Sequence, residues 1–229
     1  METKHPFFKG IYRLPDAAHI IGIPLSTLRR WLKTDFSDMS SVCEGANPYG
    51  VGISGICGES HDKYINFFSL IELFTVFQLR NGGVSFAAIS AVREGLKQDH
   101  NTNHPFAMKG LLSDGKKMTR QQSDGESLLL NEPGQRAFYG FLKAFYERLD
   151  FSEASDLAIR YYPLGKDSSI VVDPRVSFGR PVIKGTAITT ETIRTHFTGG
   201  DQPKSIAVEF EITEIQVDDA LEFENSLAA

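Results

Sequence analysis

Apolar residues recur with a helical period in two short stretches near the amino terminus. The first stretch carries them at i, i+3, i+4 and i+7, as Leu14, Ala17, Ala18 and Ile21. The second stretch begins three residues after Gly22 and repeats the pattern as Leu25, Leu28 and Leu32. This spacing predicts two helices, the first with Pro15 at an early position that tolerates proline and with Gly22 at its end. We interpret the pair as a helix-turn-helix.

The polar face of the second predicted helix carries short hydroxyl donors and cations. Ser26, Arg30 and Lys33 share one face, and Thr27 lies beside them. Arginine can bond guanine through two hydrogen bonds in the major groove, and serine or threonine can meet a base edge or a phosphate. We therefore expect these four residues to contact DNA, with Arg13 and Arg29 on phosphates. The alternative is a solvated helix of an ordinary small bundle.

Three short motifs in this region resemble the first helix-turn-helix of MerR-type regulators. They are Pro15-Asp-Ala-Ala, Gly22-Ile-Pro and Ser26-Thr-Leu-Arg-Arg-Trp31. The chain departs from that pattern at Pro24, where a serine or threonine cap is usual. The resemblance implies a winged helix-turn-helix that binds operator DNA.

Glycines interrupt the pattern between residues 34 and 60, which predicts a loop or a small hairpin with a returning strand near Tyr64–Phe68. The run Gly50–Gly55 spells G-x-G-x-x-G, but no amphipathic helix follows it, so we interpret it as a wing or loop. Cys43, Cys57 and His61 lack the spacing of metal ligands, and we expect no metal site there.

Three further helices are predicted before residue 150. One covers Ser69–Arg80 and is apolar around most of its circumference, and the next is capped by Ser85. The third spans Gly134–Asp150. In it, Tyr139 and Tyr146 lie off the apolar stripe at i and i+7 and belong either to a second, self-associating face or to the edge of a single buried face.

The last third of the chain predicts two strands and three short helices. The strands are Ile170–Val172 and Val182–Ile183, and the helices begin near Thr190, at Pro203 and at the capping box that Thr213 opens. We expect a mainly α fold with short β-hairpins, made of a MerR-like winged helix-turn-helix domain and a small C-terminal β-hairpin/tri-helical domain. The expected segments are residues 1–118 for DNA binding, 119–166 as a connecting strand and helix, and 167–229 as the C-terminal domain.

Charge is distributed unevenly along the chain, whose total formal charge is −5. Residues 1–33 hold six Lys or Arg against two acids, a net of +4, whereas residues 201–229 hold eight acids against one lysine, a net of −7. Phosphate repels an acidic segment, so we expect the amino-terminal end to bind DNA and the C-terminal helices to bind protein or to dimerise.

The segment from Val171 to Phe223 resembles a family of uncharacterised domains whose members are predicted antitoxins, often encoded with PIN-domain ribonuclease toxins. The motifs are Asp173-Pro, Gly179-Arg-Pro-Val-Ile183 and Gly185-Thr, although Ala187 stands where that family commonly has arginine. With the MerR-like motifs, the whole chain resembles the longer VapB-type antitoxins. The resemblance implies neutralisation of a PIN toxin and repression of the shared operon.

The toxin-binding residues are less well indicated by the sequence than the DNA-binding ones. PIN ribonucleases hold a metal with clustered carboxylates, and Arg175, Arg180 or Lys184 could fill such a cluster, although ordinary surface charge is the alternative. We expect a homodimer or a hetero-oligomer with the toxin, with strand pairing near Val182–Ile183 as one way to dimerise.

Composition narrows the remaining classes of protein. Two cysteines do not make a disulfide framework, and neither a signal peptide nor an apolar run of about 18 residues is present, so we expect a cytoplasmic protein without a membrane segment. We expect no cofactor and no enzymatic activity, because the C-terminal acids lack an accompanying His or Lys base. A MerR-like transcription regulator without a toxin partner is the alternative, and a metal-dependent nuclease is a third hypothesis.

Overall fold

A computed structural model describes residues 11–34, 64–109 and 144–226. Several predicted features lie outside the described residues. They are the glycine-rich run Gly50–Gly55, the thiols of Cys43 and Cys57, His61, and most of the predicted helix Gly134–Asp150.

The described residues form a mixed α/β fold. The helices are α1 (Leu14–Ile21), α2 (Leu25–Trp31), α3 (Phe67–Asn81), α4 (Phe86–His100), α5 (Thr190–Thr198), α6 (Pro203–Glu209) and α7 (Glu214–Asn225). The strands are β1 (Tyr12–Arg13), β2 (Tyr64–Ile65), β3 (Leu149–Phe151), β4 (Ala158–Tyr161), β5 (Ile170–Val172) and β6 (Pro181–Ile183). The predicted helices are confirmed, except for Gly134–Asp150, and the sheet β3-β4-β5-β6 is larger than the expected short hairpins.

The chain divides into two compact units. Unit 1 contains Met1–Phe67 together with Arg160–Ala229, and unit 2 contains Phe68–Ile159. The first unit therefore joins residues from both ends of the sequence. The three segments expected from the sequence, 1–118, 119–166 and 167–229, stay a prediction, because this grouping does not test which segment can fold alone.

In unit 1, α1 and α2 are joined by a turn that depends on Gly22. Gly22 adopts a left-handed conformation with φ 67°, which costs glycine little, and its N–H bonds back to Ala18 and His19. The strand before α1 pairs antiparallel with β2, so that Tyr12 lies opposite Ile65. The predicted returning strand is thus confirmed at Tyr64–Ile65 only, since α3 begins at Phe67.

Strands β5 and β6 form an antiparallel pair in which Val171 lies opposite Val182. Both residues are buried, with Tyr162, because a run of three apolar residues such as Ile170–Val172 has no polar face to turn to water. The other edge of β6 is already paired within the chain, through a bridge between Val182 and Thr189. Dimerisation by strand pairing near Val182–Ile183 stays a prediction, and it would require this bridge to open.

The three helices after β6 begin at caps that the sequence encodes. The Thr189 side chain accepts a hydrogen bond from the N–H of Thr192, and Thr213 and Gln216 form the predicted capping box of α7. Helix α7 packs against α5, α6 and β5. The helices therefore share one core, to which Ile193, Ile206, Val217 and Ala220 contribute fully buried side chains.

A buried carboxylate connects α1 with this helical core. Glu224 accepts a hydrogen bond from the hydroxyl of Thr190 at 2.6 Å and forms an ion pair with Arg194 at 3.1 Å. His19 of α1 lies 3.7 Å from the same carboxylate, and its ring meets the ring of Phe223 edge-on. The amino-terminal helix pair and the C-terminal helices consequently pack as parts of one unit.

In unit 2, α3 is buried around most of its circumference, as its sequence predicts. The buried Glu72 on this helix accepts hydrogen bonds from Arg93 at 3.1 Å and from the N–H of Phe106 at 3.2 Å. Tyr146 is also buried and donates to the carbonyl of Phe106, so the hypothesis of a second, self-associating face is wrong for this tyrosine.

The expected helix Gly134–Asp150 does not continue to its predicted end. Residues Leu149–Phe151 form β3 instead, beside β4, which lies within the segment 119–166 where a connecting strand was expected without a stated position. Among the described residues, no helix combines the length and the apolar character needed to cross a membrane.

Candidate functional site

Helix α2 presents one face to the core and the opposite face to solvent. Leu28, Trp31 and Leu32 are at most 3 % exposed and fix the orientation of the helix. The predicted DNA-contacting residues lie on the other side. Ser26, Arg29, Arg30 and Lys33 are exposed and Thr27 is half-buried. The structure therefore brings the predicted hydroxyl donors and cations to a single surface of a short helix.

The first turn of α2 is closed without a side-chain cap. Pro24 precedes the helix, and its carbonyl accepts hydrogen bonds from the N–H groups of Thr27 and Leu28. Proline fixes the backbone conformation that enters the helix, which compensates in part for the missing serine or threonine cap.

Arg13 differs from the other predicted DNA-contacting residues because it already has an anionic partner. Its Nε and Nη2 donate to the two carboxylate oxygens of Asp16 at 2.9 and 3.1 Å. Both side chains are largely exposed, so water screens this pair and the net stabilisation is small. A phosphate at Arg13 would have to compete with Asp16.

A second group of cations surrounds the turn after β5. Asp173, whose side chain is 5 % exposed, accepts hydrogen bonds from Arg160 Nε at 2.9 Å and from Arg175 Nη2 at 2.6 Å. Burial alone would raise the pKa of Asp173, but the hydrogen bonds from Arg175 and Arg160 lower it to about 2. Arg175 is thus held in place by a buried carboxylate while its outer part remains exposed.

The other two predicted toxin-binding residues are less constrained. Arg180 is exposed and lies 3.8 Å from Glu191, which is equally exposed. Lys184 follows β6, and its ammonium lies 5.6 Å from the centre of the Tyr162 ring. Between residues 175 and 190 the sequence holds three cations and no acid, but Asp173 and Glu191 at its borders are the partners of Arg175 and Arg180.

Phe178 is a surface residue that the sequence analysis missed. It lies between Arg175 and Arg180, its side chain is 68 % exposed, and its φ of 59° is in the left-handed region that a bulky residue rarely adopts. Hydrogen bonds hold the turn, from Gly179 N–H to the Val176 carbonyl and from Ser177 Oγ to the Ala187 carbonyl. In sequence, Ser177-Phe-Gly is typical of a turn and gives no signal of an exposed aromatic ring.

Two of the C-terminal acids hold the fold together. Glu224 is buried in the network with Thr190, and Asp219 accepts a hydrogen bond from the N–H of Ser169 at 2.6 Å. The expectation that the acids of the last helix serve partner binding is therefore too broad, because these two are used within the chain.

Comparisons with known proteins agree with an antitoxin-like assignment. Residues 170–223 match the family described as "Protein of unknown function (DUF433)". Over 96 % of its length, the chain is 21 % identical to a Mycobacterium tuberculosis (strain ATCC 25618 / H37Rv) protein named "Putative antitoxin VapB45", of which it covers 96 %.

A solved structure shares the fold of this chain. The crystal structure of Rv2018 from Mycobacterium tuberculosis matches with a TM-score of 0.68 at 20 % identity, covering 92 % of this chain and 96 % of that one. At this identity the structural likeness concerns the fold alone. The family match and the full-length similarity to a VapB protein support an antitoxin-like protein.

Proposed function

We propose that this protein is a DNA-binding antitoxin, which binds its own operator, binds and neutralises a PIN-domain ribonuclease toxin, and is itself not an enzyme. The observation that carries the DNA-binding part is the exposed face of α2 and of the turn after it, with Ser26, Arg30 and Lys33 exposed and Leu28 and Trp31 buried. A MerR-like winged helix-turn-helix is the arrangement that fits this face.

Two arginines on α2 have different roles in this proposal. Arg30 reads a base edge, whereas Arg29 neutralises a phosphate. Neither belongs to the apolar face of the helix, so their removal should leave the fold intact. Lys204, an exposed cation of α6, provides a matched control because its loss changes the net charge equally.

The test is a gel-shift titration on the DNA upstream of the protein's own gene. Arg30→Ala should lose about 1–3 kcal/mol of binding free energy and relax the sequence preference. Arg29→Ala should weaken binding to all sequences and make the salt dependence shallower by about one unit of slope. Lys204→Ala should bind like the wild type. If both arginine variants bind the operator as the wild type does, α2 is not the helix that contacts DNA.

The proposed toxin-binding surface is the basic turn that contains Phe178. An exposed aromatic ring beside arginines is the composition of an interface anchor, and a rigid turn loses little conformational freedom on binding. Arg175 and Arg180 flank the ring, and Lys184 lies nearby in sequence. We propose that the ring fills an apolar pocket of the toxin and that the cations face carboxylates around it.

The toxin part is tested with a PIN-domain nuclease encoded beside this protein's gene, by measuring RNA cleavage at increasing antitoxin concentration. Phe178→Ala should weaken inhibition by tenfold or more, as expected of an anchor residue worth about 2 kcal/mol. Phe197→Ala, which removes an exposed phenylalanine from α5, is the matched control. Full inhibition by Phe178→Ala would place the interface elsewhere. Operator binding without any co-purifying nuclease would favour the alternative, a MerR-like regulator without a toxin.

A further inference from the structure

We propose that His196, Asp201 and Glu209 form a binding site for a transition-metal ion, with zinc as the preferred metal. The imidazole Nδ1 of His196 lies 3.0 Å from Asp201 Oδ2 and 3.7 Å from Glu209 Oε2. One ligand atom from each residue lies within 4.8 Å of the other two. Two ligands of a tetrahedral zinc ion are about 3.4 Å apart, given metal–ligand distances of about 2.0–2.1 Å. The measured separations bracket this value.

The local backbone brings the three side chains together. His196 lies in the last turn of α5, and the chain reverses at Gly200, whose φ of 105° suits glycine. The N–H of Asp201 then bonds back to the carbonyl of His196 at 3.2 Å. Glu209 is the last residue of α6, so the site connects the ends of two consecutive helices.

The imidazole is oriented by Phe210, the residue that caps the C-terminal end of α6. The ring of Phe210 meets the ring of His196 edge-on, with 5.0 Å between their centres and an angle of 88°. This contact helps keep Nδ1 turned toward the two carboxylates. A metal ligand whose ring is held by the protein loses less freedom on binding, as for other preorganised sites.

The donor set selects the class of metal. One imidazole nitrogen with two carboxylate oxygens suits Zn²⁺, Co²⁺ or Ni²⁺ better than Mg²⁺, which prefers oxygen ligands and retains its water. The two carboxylates carry two negative charges, which a divalent ion neutralises. The side chains are between 31 and 56 % exposed, so water can fill the remaining coordination position. The bound ion would tie the end of α5 to the end of α6.

The site is independent of the proposed DNA and toxin binding, and its test needs neither. The full-length protein is stripped with a chelator, and zinc chloride is titrated into it by calorimetry at neutral pH, with magnesium chloride as the comparison. Other histidines and the two cysteines can also hold zinc, so the decisive measurement is the difference between variants. His196→Gln and Glu209→Gln should each lose at least about tenfold in affinity for one zinc ion per chain. His100→Gln, at the end of α4, is the matched control.

A second readout separates binding from folding. Zinc should raise the melting temperature of the wild type and of His100→Gln, because a ligand of the folded state stabilises it, and should raise that of His196→Gln much less. Circular dichroism without metal checks that each variant is folded. An imidazolium held between two carboxylates would give the same geometry without metal. If zinc binds and stabilises wild type and His196→Gln equally, the three side chains form only a hydrogen-bonded cluster without metal. That result would overturn the proposal.

Discussion

Replacing Asp173 by asparagine should destabilise unit 1 at neutral pH and change how its stability responds to acid. The carboxylate is 5 % exposed and accepts hydrogen bonds from the side chains of Arg160 and Arg175 and from the backbone N–H of Arg175. Asparagine keeps the shape of the side chain but loses the negative charge and one acceptor oxygen. Both guanidinium groups then lack their anionic partner.

The expected loss of unfolding free energy follows from the pKa of Asp173, which falls from an ordinary value of 3.8 to about 2 in the folded protein. At about 1.4 kcal/mol for each pKa unit, this shift corresponds to at most about 2.4 kcal/mol of stability. The side chains of Arg160 and Arg175 are 42 and 43 % exposed, so water screens the interaction. We therefore expect Asp173→Asn to lose about 1 kcal/mol at pH 7.

The sign of the pH dependence is fixed by the lowered pKa. The contribution of Asp173 is complete well above pH 3.8 and is lost as the pH falls through 3.8 to about 2, since the unfolded chain takes up the proton first. The difference in unfolding free energy between wild type and Asp173→Asn should accordingly narrow over that range.

The assay is urea unfolding followed by the fluorescence of Trp31, the single tryptophan of the chain, which is buried in the same unit. Asp167→Asn, an exposed acid in the segment before β5, is the matched control and should be nearly neutral. If Asp173→Asn is as stable as the wild type at pH 7, or if the difference persists unchanged near pH 2, the account of this carboxylate is wrong.

Three further predictions concern single side chains of unit 1, each checked by urea unfolding. The buried Tyr12 hydroxyl has no hydrogen-bond partner among the described residues, so Tyr12→Phe should be neutral or stabilising by up to about 1 kcal/mol, and a clear loss would reveal a partner. Glu224→Gln should destabilise by about 1–2 kcal/mol because Arg194 loses a buried counter-charge, whereas the exposed Glu222→Gln should not, and equal effects would contradict the ion pair. Phe178→Asn should stabilise by about 0.5–1 kcal/mol, since asparagine tolerates φ 59° better, and destabilisation would argue against the left-handed turn.

Elements that depend on local sequence were predictable. Helices α1 and α2 follow from apolar spacing and Gly22, and α7 follows from the capping box at Thr213. The exposed face of α2 was predictable for the same reason, because a helical period separates buried from exposed positions within one turn.

Features that depend on distant residues were not predictable. The partner of Asp173 at Arg160 belongs to β4, a strand of four residues whose pairing is visible only in three dimensions. The sequence places Glu224 among the exposed acids of the last helix. It does not show that Thr190, Arg194 and His19 converge on this carboxylate. The left-handed turn at Phe178 has no local signature, since aromatic residues are rarely found there.

Unit 1 is assembled from two stretches separated by the whole of Phe68–Ile159. A ribosome adds roughly 5–20 residues each second, so the first stretch emerges several seconds before its packing partners exist. During that interval His19 of α1 lacks Phe223 and Glu224, the residues of the last helix that it contacts in the folded protein. The intervening unit can acquire its own structure first. Unit 1 therefore cannot be completed until the last helix has been translated.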